Sequence, residues 1–212
     1  MSTQAVRHLS QDPALAGLIA RIGPPLLAPE RRRSPYEALV RAIAHQQLHG
    51  RAAEAILARF FALFPGEGFP PPERVLALNA KVLRGCGFSL GKIASLRDIC
   101  ERALDGTIPT RQGASRLSDA ELIERLTTIR GVGRWTVEML LIFTLGRPDV
   151  LPVDDYGVRD GYRLLHRLPA QPKPRELAAI GEAWAPFRSF AAWYLWRASD
   201  EGKRIKAPTS RA

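Results

Sequence analysis

The segment from Leu126 to Leu145 constrains the fold more than any other part of the chain. It reads LTTIRGVGRWTVEMLLIFTL, in which glycines at 131 and 133 separate a short stretch from a strongly apolar one. Glycine adopts the positive φ values of tight turns, and both glycines are expected to permit them. The pattern predicts a short helix, a tight turn and an apolar helix from Arg134 to Leu145, which Gly146 ends.

The turn formed by Gly131, Val132 and Gly133 is also suited to binding an anion. Its glycines leave backbone N–H groups uncovered, and at the N-terminus of the following helix these amides and the helix dipole favour negative charge. A DNA phosphate bound there would position a duplex without reading its sequence. An ordinary helix–turn–helix with glycines for close packing is the alternative. Arg130 and Arg134 flank the turn and favour the DNA interpretation.

The overall charge agrees with a polyanionic partner. The chain has 31 Lys and Arg residues against 21 Asp and Glu, a formal charge of +10. Such an excess favours nucleic acid, although a general solubility charge is the alternative. Only two cysteines are present, Cys86 and Cys100, which excludes a four-cysteine zinc or iron–sulfur site within the chain. Both are expected to be small buried hydrophobic residues.

Two further features bear on location. No apolar run approaches the ~18 residues of a membrane span. The N-terminus lacks the zones of a secretory signal. We therefore expect an intracellular protein in a reducing compartment, in the cytoplasm or nucleoid, or in the nucleus of a eukaryote.

Helix signals dominate the rest of the chain, and no stretch alternates strictly enough to predict a sheet. Ser34 and Ser118 each begin a capping box, with Glu three positions later. The expected helices cover about Pro35–Gln47, Arg51–Phe64, Lys81–Gly85, Lys92–Leu104, Ser118–Leu126 and Asp154 or Asp155 to Leu165, with Pro174 and Pro186 opening the last two. The sequence therefore predicts an all-α fold.

A second informative segment, LPVDDY at 151–156, follows the hairpin. A Gly-x-Gly hairpin followed by such a loop and an aspartate resembles the helix-hairpin-helix DNA glycosylase superfamily. GRWT at 133–136 and DDY at 154–156 resemble its alkylation-repair branch, the 3-methyladenine DNA glycosylase II group. The supporting pieces are AHQQLH at 44–49, APFR at 185–188 and WYLW at 193–196. The resemblance is greatest to the compact yeast-type form, although Arg130 replaces the usual hairpin proline.

This resemblance implies that Asp155, the second aspartate of the pair, is the catalytic acid. The chemistry agrees, because breaking an N-glycosidic bond develops positive charge on the sugar. A nearby carboxylate stabilises that charge and can accept a proton from the attacking water. A simple helix N-cap is the alternative for either aspartate. We expect Asp154 to be the more structural of the two and Asp155 the more catalytic.

The resemblance also gives meaning to Trp135. Bifunctional relatives carry at this hairpin position a lysine that attacks the sugar and leads to strand cleavage. Tryptophan has no such amine, so the chain is expected to be monofunctional, without lyase activity.

Base flipping needs a side chain to fill the vacated stack. The resemblance places that wedge at Gln47, after the first long helix, and gives His49 a minor-groove contact beside it. A polar helix terminus is the alternative for both residues.

Aromatic side chains attract cationic alkylated purines by stacking and cation–π interactions. The resemblance therefore implies a base pocket formed by Trp135, Trp196, Asp154 and Met139. Met139 stands where the larger bacterial enzyme has a pocket tyrosine, which bears on the breadth of the substrate range.

In architecture, we expect a single glycosylase domain over 1–212 made of two helical lobes with an active-site cleft between them. One lobe should span about 36–145, with the helix-hairpin-helix motif at 118–145. The other should combine about 1–35 with 152–200, followed by a basic tail at 203–212. No redox or nucleotide cofactor is expected, but the family includes a monovalent cation on hairpin carbonyls, here near Ile129, Gly131 and Gly133.

The expected function is a monofunctional DNA glycosylase that excises 3-methyladenine and 7-methylguanine from double-stranded DNA and leaves an abasic site for base excision repair. A monomer without an obligate protein partner or membrane contact is expected. Three alternatives stay open: a non-catalytic damage sensor that uses the same hairpin, a bifunctional glycosylase/lyase for oxidised bases, and a helical scaffold without nucleic-acid affinity.

Overall fold

The computed structural model describes residues 2–66 and 68–206, without the side chains of 204–206. In these ranges every regular element is a helix, which confirms the prediction of an all-α fold. The α-helices are α1 (Ser2–Leu9), α2 (Pro13–Ile22), α3 (Pro35–His45), α4 (Gly50–Phe61), α5 (Pro72–Leu76), α6 (Ala80–Cys86), α7 (Leu90–Leu104), α8 (Arg111–Ala114), α9 (Asp119–Leu126), α10 (Arg134–Met139), α11 (Tyr156–Leu165), α12 (Pro174–Gly181) and α13 (Arg188–Lys206).

The chain forms two compact units. One comprises Met1–Pro29 with Gly146–Ala212, and the other Glu30–Leu145. We call the first the terminal unit, since it contains both ends of the chain, and the second the hairpin unit, since it contains the Gly-x-Gly turn.

Several helices of the hairpin unit begin at side chains that accept hydrogen bonds from free backbone amides. Ser34 accepts from Glu37 N, Asn79 from Val82 N, and Ser118 from Glu121 N. At Ser118 the capping box is complete, because the Glu121 carboxylate accepts in turn from Ser118 N. Such caps satisfy amides that have no partner within the helix, which is why the sequence located these helix starts well.

The core of the hairpin unit lies between α3 and α7. Leu39 and Ile43 of α3 and Leu96 and Ile99 of α7 are fully buried. Both cysteines of the chain are buried in this unit, as predicted, and neither forms a disulfide. Burial raises the pKa of Cys100 to about 11, which keeps this thiol protonated and unreactive at neutral pH.

The second helix of the hairpin departs from its prediction as one α-helix. After Met139 the α-helix α10 gives way to a π-helix at Leu140–Leu145. The carbonyls near its end have partners outside the helix: Glu30 N donates to Phe143 O at 2.8 Å, and Arg111 Nη2 donates to Thr144 O at 2.7 Å. Because these donors satisfy the carbonyl oxygens of the wider π-helical turn, the helix ends without the hydrogen-bond pattern of an α-helix.

In the terminal unit, α11 and α13 are packed at very short range. A Cβ at Gly161 of α11 would lie 1.9 Å from the carbonyl oxygen of Leu195 of α13, so only glycine fits there. A single-turn 3₁₀ helix, Glu182–Trp184, follows α12. The last helix starts at Arg188 and not at Pro186, since Asp149 accepts from Arg188 N at 3.2 Å and also binds its guanidinium.

Helix ends differ from the sequence-based bounds at several places. The first long helix stops at His45 and not at Gln47, which has a φ of +56° and cannot continue an α-helix. Helix α13 extends to Lys206, past the point at which the basic tail was expected to begin. Residues 207–212 of that tail lie outside the described residues.

Among the helices of the described chain, none is long and apolar enough to span a membrane.

Candidate functional site

The Gly-x-Gly turn of the hairpin places its two glycines in different conformations. Gly131 has a φ of +77°, and a Cβ there would lie 2.5 Å from the Oγ of Ser95, so glycine is required. Gly133 has a φ of −92° and caps α10, so the idea that it uses positive φ is wrong. A Cβ at Gly133 would meet no atom within 4 Å. This glycine therefore keeps the first amides of the helix uncovered, and does not solve a packing problem.

Several polar groups of the turn are already engaged. Arg130 N donates to Asp98 Oδ2 at 2.6 Å, and Gly131 O accepts from Gln46 Nε2 at 2.9 Å. Val132 is buried, with 4% of its surface exposed, so its side chain anchors the turn and only its main chain is available to a ligand. The side chain of Arg130 is exposed. These contacts fix the turn while leaving cationic and amide groups at its surface.

Arg134, at the start of α10, is tied to its own helix. Its Nε lies 3.0 Å from Oε1 of Glu138, whose side chain is 3% exposed, while the Arg134 side chain is 60% exposed. The guanidinium therefore presents its outer face to solvent beside the turn and is oriented by a buried carboxylate.

The loop of residues 46–49, which we call the wedge loop, connects α3 to α4. Gln47 has left-handed backbone geometry, which is uncommon for a residue other than glycine and concentrates at functional sites. Leu48 is 41% exposed. His49 is the N-cap of α4, but its side chain makes no capping hydrogen bond.

A cavity of about 540 Å³ opens in the hairpin unit between α3 and the second helix of the hairpin. It brings together Trp135, Met139 and Gln47 from the sequence-predicted set; His49 is not among its lining residues. The wall also contains residues that the sequence analysis missed, from α3, α4 and the π-helix: Arg41, His45, Glu54, Phe143 and Thr144. Trp135 is 48% exposed and Phe143 38%, which leaves aromatic surface open to a ligand. The volume falls within the usual range of small-molecule pockets.

The charges around this cavity are arranged in pairs. Arg41 Nε lies 2.8 Å from Oε1 of Glu37, and the guanidinium carbon lies 5.0 Å from the ring centre of Phe61. On the other side, His45 Nε2 lies 3.0 Å from Glu54 Oε1. Glu54 therefore adds a carboxylate to the cavity wall, beside the His45 imidazole.

Asp155 lies in the terminal unit, where it is the N-cap of α11. Its Oδ1 accepts from Val158 N at 2.8 Å and from the indole Nε1 of Trp196 at 2.9 Å. Trp196 comes from α13, so the carboxylate is oriented by both helices of the tightly packed pair. Asp154, in contrast, is exposed, and Asp155 is the residue that caps the helix.

The sequence-predicted residues thus divide between the units. Trp196, Asp154 and Asp155 belong to the terminal unit, and Trp196 contacts Asp155 directly. All remaining members belong to the hairpin unit: Gln47, His49, Arg130, Gly131, Val132, Gly133, Arg134, Trp135 and Met139.

A family comparison gives this geometry its context. The model of the HhH-GPD superfamily of base excision DNA repair proteins matches residues 40–186, more than half of the chain. The chain belongs to the HhH-GPD superfamily.

Individual HhH-GPD relatives agree with this. The chain is 53% identical over 168 residues to DNA-3-methyladenine glycosylase 1 of Schizosaccharomyces pombe, covering 79% of this chain and 74% of that protein. It is 35% identical to the alkylbase DNA glycosidase-like protein mag2 of the same organism, covering 92% of each. The structure of the S. pombe 3-methyladenine DNA glycosylase (Mag1) in complex with abasic DNA has a TM-score of 0.82 and 48% identity, covering 93% of this chain and 97% of that one.

The carbonyls of the hairpin turn, where the sequence resemblance implies a monovalent cation, all accept hydrogen bonds. Ile129 O accepts from Val132 N at 3.0 Å and Gly133 O from Val137 N at 3.2 Å, while Gly131 O accepts from Gln46. Each of these oxygens has a second lone pair and can accept a further contact without breaking its hydrogen bond. In the described part of the chain, no group of three or more His, Cys, Asp or Glu side chains is placed to hold a metal ion.

Proposed function

We propose that this chain is a monofunctional DNA glycosylase that flips alkylated purines such as 3-methyladenine and 7-methylguanine out of DNA. It hydrolyses the N-glycosidic bond and leaves an abasic site. The observation that carries the proposal is Asp155, a carboxylate fixed by two donors at the start of α11 in a chain 53% identical to a DNA-3-methyladenine glycosylase.

In this reaction the bond between C1′ and the base nitrogen breaks, and its electron pair leaves with the base. A base that was cationic in the nucleoside departs neutral, while positive charge develops on the sugar. The Asp155 carboxylate stabilises that charge. Water then adds its oxygen to C1′ and gives up a proton to Asp155 or to solvent. Since the donors Val158 N and Trp196 Nε1 hold the carboxylate oxygen in place, little reorganisation is needed during the reaction.

We assign the cavity of the hairpin unit to the flipped base. The exposed face of Trp135 offers stacking and cation–π attraction to a cationic purine, worth ~0.5–2 kcal/mol. Phe143 adds a second aromatic surface, and the carboxylate of Glu54 adds an anionic group. Normal purines are spared chiefly because a neutral base is a poorer leaving group. Trp196 acts on the base indirectly, through its hydrogen bond to Asp155.

We assign duplex binding to the turn and the wedge loop. The amides at the start of α10 and the exposed Arg130 side chain would bind a phosphate. Gln47 would fill the vacated stack, and His49 would contact the minor groove. The left-handed backbone of Gln47 supports this role, because such geometry persists at functional sites.

The absence of lyase activity in the proposal rests on Trp135, which stands at the hairpin position where the family's lyases have lysine. A monomer acting on double-stranded DNA is sufficient for this chemistry, with no redox or nucleotide cofactor and at most a structural monovalent cation. The enzyme would work where the cell keeps its DNA.

The test is release of free bases from methylated duplex DNA, analysed by chromatography, together with borohydride treatment of the reaction. The proposal predicts 3-methyladenine or 7-methylguanine in solution, alkali-labile abasic sites in the duplex, and no covalent protein–DNA adduct. A trapped adduct would support the bifunctional alternative. Tight, salt-dependent binding without base release would support the damage sensor, and weak binding without salt dependence the scaffold.

A further inference from the structure

A single side chain connects the wedge loop to the hairpin turn. Nε2 of Gln46 donates to the carbonyl oxygen of Gly131 at 2.9 Å, across 85 residues of sequence. The main chain of Gln46 is fixed as well, since its N–H donates to Ala42 O at 3.1 Å and ends α3. Gln46 is therefore held at both its backbone and its amide.

The residue that carries the acceptor is itself constrained by its neighbours. Gly131 needs its positive φ and lies directly against Ser95, with no space for a Cβ. The preceding residue is held by the 2.6 Å bond from Arg130 N to Asp98. The carbonyl of Gly131 therefore gives the Gln46 amide a well-positioned acceptor.

Helix α7 supports both partners of the link. Ser95 and Asp98 contact the hairpin turn, and Lys92 Nζ donates to Ala44 O at 2.8 Å, just before Gln46. The end of α3 and the hairpin turn are therefore both supported by α7. The bond from Gln46 to Gly131 connects the wedge loop directly to the hairpin turn.

The residue after Gln46 has the unusual backbone geometry. Gln47 has a φ of +56°, although it is not glycine, and its side chain lines the cavity of the hairpin unit. A conformation of this kind persists only where its surroundings determine it. Two hydrogen bonds provide this constraint: Leu48 N donates to His45 O at 3.2 Å and closes a turn around Gln46 and Gln47, and the amide of Gln46 is held on Gly131.

We propose that Gln46 is a positioning residue that links phosphate binding to base flipping. This inference rests on the proposed function, in which the turn binds a phosphate and Gln47 fills the vacated stack. The bond from Gln46 to Gly131 holds Gln47 at a fixed distance from the bound phosphate. The wedge then enters the duplex at the nucleotide selected by the turn, without a search by a mobile loop.

The test uses four variants: Gln46→Ala, Gln47→Ala, the double variant that combines these two, and Gln46→Glu. Gln46→Glu keeps the length of the side chain but replaces the donor by an acceptor. Gln4→Ala, at an exposed position of α1, is the matched control. Flipping is followed by the fluorescence of 2-aminopurine next to a 7-methylguanine, and affinity for an undamaged duplex by anisotropy. Thermal melting shows that each variant is folded.

We expect Gln46→Ala and Gln46→Glu to slow flipping roughly tenfold, because a small misplacement of a positioned group is costly. The Kd of Gln46→Ala for the undamaged duplex should stay within about twofold of wild type, since the turn itself is intact, whereas the added carboxylate of Gln46→Glu should weaken it a few-fold. The double variant should flip within about twofold of Gln47→Ala alone, because Gln46 acts only through Gln47.

Flipping at the wild-type rate in both Gln46 variants would overturn the inference. It would also be overturned if the losses from Gln46→Ala and Gln47→Ala multiplied in the double variant, which would show that Gln46 acts independently of the wedge. Failure of the proposed function looks different, because the wild-type protein itself would then release no base. An equal effect of Gln4→Ala would show a general loss of stability and would likewise contradict a positioning role.

Discussion

The hairpin unit and the terminal unit present their functional groups in opposite ways. In the hairpin unit, the turn and the wedge loop expose backbone amides and side chains, and hydrogen bonds between side chains and main chain, such as Lys92 Nζ to Ala44 O and Arg130 N to Asp98 Oδ2, hold the backbone beneath them. In the terminal unit, one carboxylate, Asp155, is oriented by an amide and an indole from two closely packed helices. Binding surfaces tolerate adjustment, whereas a group that stabilises a transition state must not move. Substitutions should therefore have graded effects in the hairpin unit and sharp ones around Asp155.

The largest effect on stability should come from Gly161→Ala. The added Cβ would lie 1.9 Å from Leu195 O, so α11 and α13 must separate, and we expect a loss of about 3 kcal/mol in the free energy of unfolding. Gly17→Ala is the matched control, since a Cβ at this helical position meets nothing within 4 Å and should be neutral or stabilising. Urea denaturation measures both. Equal midpoints for the two variants would show that the helix pair is not rigid.

The next effect concerns pH and Asp160, which is buried on α11. Burial favours its neutral form, but hydrogen bonds from Arg163, Gln171 and Ser199 outweigh this and hold the pKa of Asp160 below its usual value. A lowered folded-state pKa adds stability above the unfolded pKa of about 3.9 and loses it as pH falls through the folded pKa.

Asp160→Asn should therefore cost about 2 kcal/mol at pH 7, and this cost should shrink as the pH falls below the unfolded pKa and through the lowered folded pKa. Denaturation of the variant and wild type across this range measures the difference. A gap that stays constant with pH would rule out the charge of Asp160 as its origin.

A smaller effect is expected from Trp196→Phe. Phenylalanine keeps an aromatic ring but lacks the N–H that Trp196 donates to Asp155, so we expect roughly tenfold lower kcat with little change in KM. Trp193→Phe, a buried residue on the same helix, should affect stability more than kcat. Steady-state excision of 7-methylguanine separates the two. A change confined to KM would indicate that Trp196 binds the base directly.

The smallest effect is expected from Arg130→Ala at the hairpin turn. The loss of one exposed cation should weaken DNA binding a few-fold and reduce the slope of log K against log salt by about 1. Arg7→Ala, on the exposed surface of α1, should leave the slope unchanged. Anisotropy titrations at several salt concentrations provide the values. An unchanged slope in Arg130→Ala would remove this residue from the phosphate contacts.

The sequence predicted well what depends on neighbouring residues. The caps at Ser34 and Ser118 located their helices, and the Gly-x-Gly spacing located the turn. The sequence-based prediction failed where residues distant in the chain determine the local structure. The π-helix at Leu140–Leu145 depends on donors from Arg111 and Glu30, and no local signal for these exists.

The same reason limited what the sequence could say about the site. The link from Gln46 to Gly131 spans 85 residues, and the bond from Trp196 to Asp155 spans 41. Residue types and family resemblance select the candidates, but only the folded chain reveals which of them hold each other in place. The residue type alone does not distinguish the role of Gln46 from that of Gln47. Trp196 was expected to line the base pocket, whereas in the structure it donates to Asp155.

The most direct test of the account compares Asp155→Asn with Asp154→Asn in the release of 7-methylguanine from methylated duplex DNA under single-turnover conditions. Both substitutions remove one negative charge, but only Asp155 caps α11 and accepts from Trp196. The account predicts that Asp155→Asn lowers the rate by about 10²–10³ with the fold and DNA affinity retained, and that Asp154→Asn stays near wild type. Near wild-type release by Asp155→Asn, with a large loss in Asp154→Asn, would contradict it.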